Sequence, residues 1–87
     1  MGSLHVVFTN AAVRDLESIH PRDSGRIQLD VELLQRPPWP AGKVKRLSGH
    51  PWWEMKCGDF RILFRREGDV VRILRVVNRK DLKRTLK

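Results

Sequence analysis

Two basic residues, Lys56 and Arg61, lie on either side of the dipeptide Gly58-Asp59. Runs rich in aromatic and branched residues flank this dipeptide, and a two-residue loop of that composition predicts a tight β-hairpin. Because the turn fixes the antiparallel register, Lys56 is expected directly opposite Arg61, on the same face of the sheet. Like charges in that arrangement cost about 0.2–1 kcal/mol, so the pair indicates a site that binds an anion.

The distribution of charge indicates that the anion belongs to a larger polyanion. The 87 residues have a formal net charge of +8. Residues 1–42 have a net charge of −1, whereas residues 43–87 have a net charge of +9. So large a charge on a small chain favours a polyanionic partner such as a nucleic acid. The alternative is a basic surface that serves only solubility.

Composition argues against several other classes of protein. The length suits one small domain, residues 1–87, with a single modest core. No apolar run approaches the roughly 18–20 residues of a membrane span, and there is no secretory signal, so we expect a cytoplasmic protein. Cys57 is the only cysteine and has no metal-ligand spacing around it, which fits a reducing compartment. We expect neither a metal ion nor another cofactor.

Periodicity and turn signals predict an α+β fold. We expect a strand at residues 5–8, then helices at 11–20 and 21–35, an extended connector at 36–40 and a polar loop at 41–51. The hairpin follows at 52–66, a further strand at 70–77 and a short C-terminal helix at 78–87. Thr9 or Asn10 caps the first helix, and Trp39 is expected at the edge of the core. The predicted architecture is an N-terminal strand and a helical hairpin packed on a four-stranded antiparallel sheet.

Alternation along the second hairpin strand predicts which side chains face the helices. The aromatic and branched residues at positions 60, 62 and 64 suit the helix side. Arg61, Leu63 and Arg65 would then face away. In the last strand, periodicity does not decide which face takes Arg72 and which takes Arg75.

Several stretches, taken together, resemble the RelE/ParE toxin superfamily. The chain opens with Val7-Phe8-Thr9-Asn10-Ala11-Ala12, and Leu47-Ser48-Gly49 precedes the tryptophan strand Trp53-Glu54-Met55-Lys56. The next strand contains Gly58-Asp59-Phe60-Arg61, and the last strand ends in Asn78-Arg79-Lys80-Asp81. This order and spacing are characteristic of the superfamily, and the resemblance extends over nearly the whole chain.

The resemblance implies a toxin of a toxin–antitoxin pair, whose partner is an acidic antitoxin. The RelE branch binds in the ribosomal A site and cuts mRNA there without a metal ion, so the ribosome and mRNA would be further partners. The ParE branch instead poisons DNA gyrase. We expect a ribosome-dependent mRNA endonuclease, with a gyrase inhibitor or a non-catalytic RNA-binding module as the alternatives.

The resemblance also implies roles for individual residues. Arg61 matches the arginine that contacts the scissile phosphate, and Lys56 matches a basic residue on the neighbouring strand. Arg79 or Lys80 matches the basic residue that ends the last strand. In the implied reaction a base takes the proton of a ribose 2′-hydroxyl, its oxygen attacks the adjacent phosphorus, and an acid protonates the leaving 5′-oxygen. Lys56 and Glu54 are the candidate bases, although Glu54 could instead neutralise the cations.

The sequence departs from the superfamily at the groups that transfer protons. Asn78 stands where a histidine is common, Lys83 stands where a tyrosine often serves as the acid, and the chain has no tyrosine. Lys83 is therefore the candidate acid, unless the basic segment that contains it only docks on RNA or on the antitoxin. The residues expected to bind RNA outside the catalytic group are Lys43, Lys45, Arg46, Lys80 and Arg84.

Overall fold

The computed structural model describes residues 3–86, which form a five-stranded sheet with helices on one of its faces. The strands are β1 (His5–Phe8), β2 (Val44–Arg46), β3 (Trp53–Cys57), β4 (Phe60–Glu67) and β5 (Val70–Asn78). The helices are α1 (Asn10–Glu17), α2 (Pro21–Val31) and α3 (Leu82–Thr85). Short 3-10 helices, Glu32–Gln35 and Arg79–Asp81, follow α2 and β5.

The strand order is β1-β5-β4-β3-β2, with β1 parallel to β5 and all other neighbours antiparallel. The predicted α+β class, helical hairpin and short C-terminal helix are confirmed. The expected four-stranded antiparallel sheet was wrong in two details. β2 adds a fifth strand inside the predicted polar loop, where three residues are too few to show alternation. β1 and β5 are far apart in sequence, so no hairpin turn makes them antiparallel.

The predicted register of the β3–β4 hairpin is confirmed, because Lys56 lies opposite Arg61 and Met55 opposite Ile62. Gly58 in the turn has φ of +56°, a left-handed conformation that glycine adopts at little cost. The side chains at positions 60, 62 and 64 belong to the core under the helices, as expected. The sheet therefore has one apolar face and one face turned away from the helices.

We call the face turned away from the helices the open face. It comprises Lys45 of β2, Glu54 and Lys56 of β3, Arg61, Leu63 and Arg65 of β4, and Arg72 and Val77 of β5. Between Leu63 and Phe64 the pairing of β4 with β5 shifts by one residue. This β-bulge interrupts simple alternation in β5, which explains why periodicity could not assign its arginines to faces.

Aromatic side chains fill one end of the core. Phe64 is fully buried and stacks on Trp53, with ring centroids 6.3 Å apart. Trp39 meets Phe64 edge-on at 5.2 Å, and its indole Nε1 donates to the Leu34 carbonyl at 3.0 Å. The expected position of Trp39 at the edge of the core is confirmed, and its single polar group is satisfied there.

The helices begin and end at identifiable side chains. Thr9 caps α1, since its Oγ1 accepts from Ala12 N at 3.1 Å and donates to the Leu74 carbonyl at 3.0 Å. His20 caps α2, because its Nδ1 accepts from Arg22 N at 3.1 Å. The α-helix ends at Val31, and only the 3-10 helix continues to the predicted end at Gln35.

Asp15 joins α1 to β5 at a point where β5 has no parallel neighbour. Within the described chain, β1 pairs with β5 only as far as Ile73. Asp15 Oδ2 accepts from the backbone N–H of Val76 at 2.9 Å and from Arg75 Nε at 2.7 Å, and Oδ1 accepts from Arg75 Nη2 at 3.1 Å. The hydrogen bond to Asp15 also raises the pKa of Arg75. This carboxylate takes the place of a strand partner.

Replacing Asp15 should therefore destabilise the fold. Asp15→Ala removes the acceptor of the Val76 N–H and two charged hydrogen bonds, and should lower the free energy of unfolding by about 2–3 kcal/mol. Urea denaturation measures this change. Glu17→Ala, at an exposed position of the same helix, is the matched control and should change it by less than about 0.5 kcal/mol. Equal losses in the two variants would contradict the assigned role.

Candidate functional site

The open face has two rows of cations that run across the strands. The first row is formed by Lys56 and Arg61, with Val77 of β5 beyond them. The second row is formed by Arg65 and Arg72. Between the rows lie Lys45, Glu54 and Leu63, which are neighbours across three adjacent strands. The face is thus cationic at both ends.

The Arg61 guanidinium is held in a fixed orientation beside the β3–β4 turn. Its Nη1 donates to the carbonyls of Gly58 and Phe60, at 3.0 and 2.9 Å. Its Nε lies 3.3 Å from Glu54 Oε1, and the side chain is only 14% exposed. Within residues 3–86, no protein acceptor contacts Nη2. The arginine can therefore present one nitrogen, with both of its N–H groups, to an anion.

Glu54 is the only charged residue among residues 3–86 that is buried, with 3% of its surface exposed. A carboxylate at such a position needs a cation beside it, because desolvation of an unpaired charge costs several kcal/mol. Arg61 supplies that cation. Glu54 and Arg61 were both predicted catalytic residues, and the structure brings them together as an ion pair. The observed contact matches the neutralising role considered for Glu54.

Two more of the predicted residues lie near the same turn. Lys56 is exposed and is the direct cross-strand neighbour of Arg61. The backbone N–H of Arg79 donates to the Asp59 carbonyl at 2.8 Å, and its Nε lies 3.8 Å from Asp59 Oδ1. Its side chain is 66% exposed. Lys56, Arg61 and Arg79 thus surround the turn, and we refer to these three as the turn cations.

The segment after β5 contains the remaining C-terminal candidates. Asn78 Oδ1 accepts from Lys80 N at 3.1 Å and caps the 3-10 helix, which gives this asparagine a structural role. Lys80, Lys83 and Arg84 are exposed. Arg84 Nη2 lies 3.8 Å from Asp81 Oδ1. The roles predicted for these three cations remain predictions.

The three cations predicted between positions 43 and 46 do not share a surface. Lys45 lies on the open face opposite Glu54. Arg46 lies on the other face, with its guanidinium 5.5 Å from the centroid of the Trp53 ring. Lys43 Nζ contacts Asp30 Oδ2 of α2 at 3.1 Å. Because β2 is a strand and not a loop, only Lys45 joins the other candidates.

Four residues of this region had no functional role predicted from the sequence. Arg65 and Arg72 form the second cation row, and the stacked rings of His50 and Trp52 lie just before β3, with centroids 5.7 Å apart. Arg65 could have been included from its spacing, since it is four positions after Arg61 on the same face. The β-bulge concealed the position of Arg72.

Cys57 lies on the helix side of the sheet and has no role in the open face. Its thiol interacts with the Asp30 carboxylate, which Lys43 also contacts. Burial, followed by the interaction with Asp30, raises the pKa of Cys57 to about 11. Burial alone would raise the pKa of Asp30, but the hydrogen bonds from Cys57 and Lys43 hold it below its usual value. The thiol is therefore unreactive near neutral pH.

The described part of the chain contains neither a membrane-spanning helix nor a cluster of metal-binding side chains. No helix within residues 3–86 is both long enough and apolar enough to cross a membrane. The same residues include no group of three or more His, Cys, Asp or Glu side chains placed to hold a metal ion.

Solved structures that are similar to this chain include toxin–antitoxin complexes. The RelB–RelE antitoxin–toxin complex from Methanococcus jannaschii matches with a TM-score of 0.73 and 25% identity, over 93% of this chain and 99% of that one. The RelBE2 complex from Mycobacterium tuberculosis matches with a TM-score of 0.70 and 28% identity, over 87% and 98%. YafQ from Escherichia coli shares the fold at 15% identity, with a TM-score of 0.72 over 91% and 97%.

The amino-acid sequence also matches a family model. Residues 6–83 match the family model described as the ParE toxin of type II toxin–antitoxin systems, parDE. The chain belongs to this family, and it is a toxin of a type II toxin–antitoxin system with a RelE/ParE-like fold. Among curated protein sequences there is no significant match.

The environment of Cys57 predicts a protected thiol. At pH 8 the native thiol should react about 100-fold more slowly with Ellman's reagent than the urea-unfolded thiol, because its pKa is about 11 in place of 9.0 and only the thiolate reacts. Asp30→Asn should speed the native reaction. Equal rates for native and unfolded protein would contradict the assignment.

The same shift makes stability depend on pH. The pKa of Cys57 is higher in the folded protein than in the unfolded chain, so the thiol stabilises the fold below pH 9.0, and this contribution is lost as the pH rises toward 11.

Proposed function

We propose that this toxin is a ribosome-dependent endonuclease that binds mRNA on its open face and cuts it beside the β3–β4 turn. The observation that supports this function best is the adjacent placement of Lys56 and Arg61, with Arg79 next to the same turn. A cluster of cations fixed on a rigid hairpin suits a phosphate at which negative charge increases during the reaction. The cytoplasmic location predicted from the sequence agrees with this function, because ribosomes translate mRNA there.

The reaction is transesterification at one phosphate of the RNA. The ribose 2′-hydroxyl loses a proton to a base, its oxygen forms a bond to the adjacent phosphorus, and the bond to the 5′-oxygen breaks. An acid returns a proton to that 5′-oxygen, which leaves a 2′,3′-cyclic phosphate and a 5′-hydroxyl. The turn cations stabilise the additional negative charge on the phosphate oxygens.

The geometry suggests a division of roles among the residues. Arg61 contacts the phosphate through its free Nη2, since Nε and Nη1 are engaged by the protein. Glu54 holds the Arg61 guanidinium in that orientation. Lys56 can contribute in two ways, because its ammonium stabilises charge and its neutral amine accepts a proton. Lys83 is the candidate acid, in the place where the superfamily often has a tyrosine.

A cognate antitoxin is the expected protein partner, since the solved complexes from M. jannaschii and M. tuberculosis pair the toxin with an antitoxin. The chain's net charge of +8 favours an acidic partner because opposite charge speeds and orients association. The ribosome and mRNA, which are also polyanions, are the remaining partners of the proposed function.

A second function is favoured by two observations. The matching family model describes ParE toxins, and the chain has no tyrosine to serve as the acid. On this alternative the protein inhibits DNA gyrase, and the open face binds its target without cutting RNA.

The turn cations can be tested by mapping mRNA ends in cells that express the toxin from a tightly repressed promoter. We expect cuts on translating ribosomes that follow the codon frame. Lys56→Ala should reduce cutting by about 10²–10³-fold, the usual effect of removing one group that stabilises a transition state. Lys56→Arg keeps the charge but not the ability to accept a proton, so activity close to wild type would assign Lys56 to charge stabilisation alone.

Arg61 requires a conservative variant. Arg61→Ala would leave Glu54 buried without a cation and could unfold the hairpin, whereas Arg61→Lys keeps the charge and loses the planar fork. Arg66→Ala is the matched control. Arg66 is on the same strand, the alternation of side chains along β4 directs it to the opposite face, and its Nε contacts the Gly68 carbonyl.

The same experiment separates the two functions. Uncut mRNA with gyrase-dependent DNA breaks would support the second function, and unaffected growth would contradict both.

Lys45 and Lys43 offer a separate test of the RNA-binding surface. Lys45→Ala should weaken binding of a non-cleavable 2′-O-methyl RNA and reduce the salt dependence of log K by about 0.7, the slope for one phosphate contact on a single strand. Lys43→Ala should change neither quantity, since its ammonium contacts Asp30 on the helix side. Fluorescence anisotropy over a range of salt concentrations measures both. Identical effects of the two variants would mean that the RNA does not follow the open face.

A further inference from the structure

The His50–Trp52 ring pair lies at the end of the open face that is remote from the turn. The Trp53 ring stacks on Phe64 in the core, so alternation directs Trp52 to the opposite side of β3. Leu47 N donates to the Trp52 carbonyl at 3.0 Å, which keeps residue 52 in line with the sheet. The Trp52 and His50 rings stack at an interplanar angle of 29°, and both residues remain partly exposed.

The second cation row lies beside this ring pair. Continuing the β3–β4 register by one residue beyond Trp53 and Phe64 places Arg65 opposite Trp52. Arg65 pairs across strands with Arg72, and the two side chains are 46% and 44% exposed. Glu67 bridges them, with its carboxylate 3.7 Å from Arg65 Nε and 3.1 Å from Arg72 Nε. Two cations and one anion leave a net positive charge next to the aromatic rings.

We infer that this region is a nucleotide subsite, at which one base of a single-stranded RNA stacks on the His50–Trp52 pair while its phosphate contacts Arg65 and Arg72. This subsite rests on the proposed function, in which the same strand of RNA reaches the turn cations. Every base has a flat π-face, so an aromatic platform beside cations holds single-stranded nucleic acid with little sequence preference.

The spacing of the two rows sets the geometry of the bound strand. Arg61 and Arg65 are four residues apart on β4, or about 13 Å at roughly 3.3 Å per residue. A stacked strand rises about 3.4 Å per nucleotide, so the subsite receives a nucleotide a few positions away from the phosphate at the turn. Its role is to hold the RNA in register while the turn cations act.

The observations favour RNA over an acidic peptide as the occupant. An acidic peptide would use only the two arginines and would leave the stacked rings without a partner. The stacked rings add a surface that matches a nucleobase. The closing experiment includes the peptide as an outcome.

The test measures binding of a fluorescein-labelled 2′-O-methyl oligouridylate to the full chain by anisotropy. Trp52→Ala should weaken binding by about 5- to 100-fold, the range for the loss of one stacked base, whereas Trp52→Phe should retain most of it. An oligonucleotide with an abasic residue at the stacked position should bind wild type and Trp52→Ala equally. Arg65→Ala should weaken binding, and Arg66→Ala, one residue along and directed to the other face, should not.

The outcomes separate this subsite from the proposed function. If Lys56→Ala weakens RNA binding and Trp52→Ala does not, the subsite is wrong and the assignment of the turn cations stands. If Trp52→Ala weakens binding and the toxin still does not cut mRNA, the subsite stands and the proposed endonuclease fails. If Trp52→Ala and Arg65→Ala leave RNA binding unchanged but weaken binding of an acidic antitoxin peptide, the surface docks protein and the inference is overturned. Circular dichroism confirms that each variant is folded.

Discussion

The register of the β3–β4 hairpin separates the hydrophobic core from the cationic surface. Side chains alternate along a strand, so a slip of one residue would turn Arg61 and Glu54 toward the helices and expose the aromatic side chains that fill the core. The turn at Gly58 fixes this register with a left-handed residue, and a slip of one residue would remove the fully buried Phe64 from the core at the other end. The contacts proposed for Lys56, Arg61 and Arg65 with RNA depend on that pairing.

The open face holds its cations apart by placing acids among them. Glu54 separates the two rows and neutralises Arg61, Glu67 bridges Arg65 and Arg72, and Asp59 lies beside Arg79. These acids reduce repulsion within the folded protein, and each contacts only part of its arginine. The arginines therefore keep N–H groups that contact no acid, and the surface keeps its affinity for phosphates without the full cost of like charges in contact. Lys56 is exposed and stands at the edge of this arrangement.

Local signals in the sequence were enough to predict the hairpin, its register and a cap of the first helix at Thr9 or Asn10, because turn residues and capping side chains act within a few positions of themselves. They could not reveal β2, since three residues show no period, and so Lys43, Lys45 and Arg46 were grouped although they point to different places. The bulge beside Leu63 concealed the face of Arg72. The burial of Glu54 also escaped prediction, because it depends on neighbours from three strands.

β5 is the last strand of the sheet in the chain and lies between β1 and β4. A nascent chain that has not yet released residues 70–78 from the ribosome has no partner for β1, and Asp15 of α1 lacks both Arg75 and the Val76 N–H. The sheet is therefore completed only after residues 70–78 have left the ribosome, through contacts between distant parts of the sequence that form slowly. A chain without β5 lacks Arg72 and the strand that pairs with Arg61, so it does not present the complete open face.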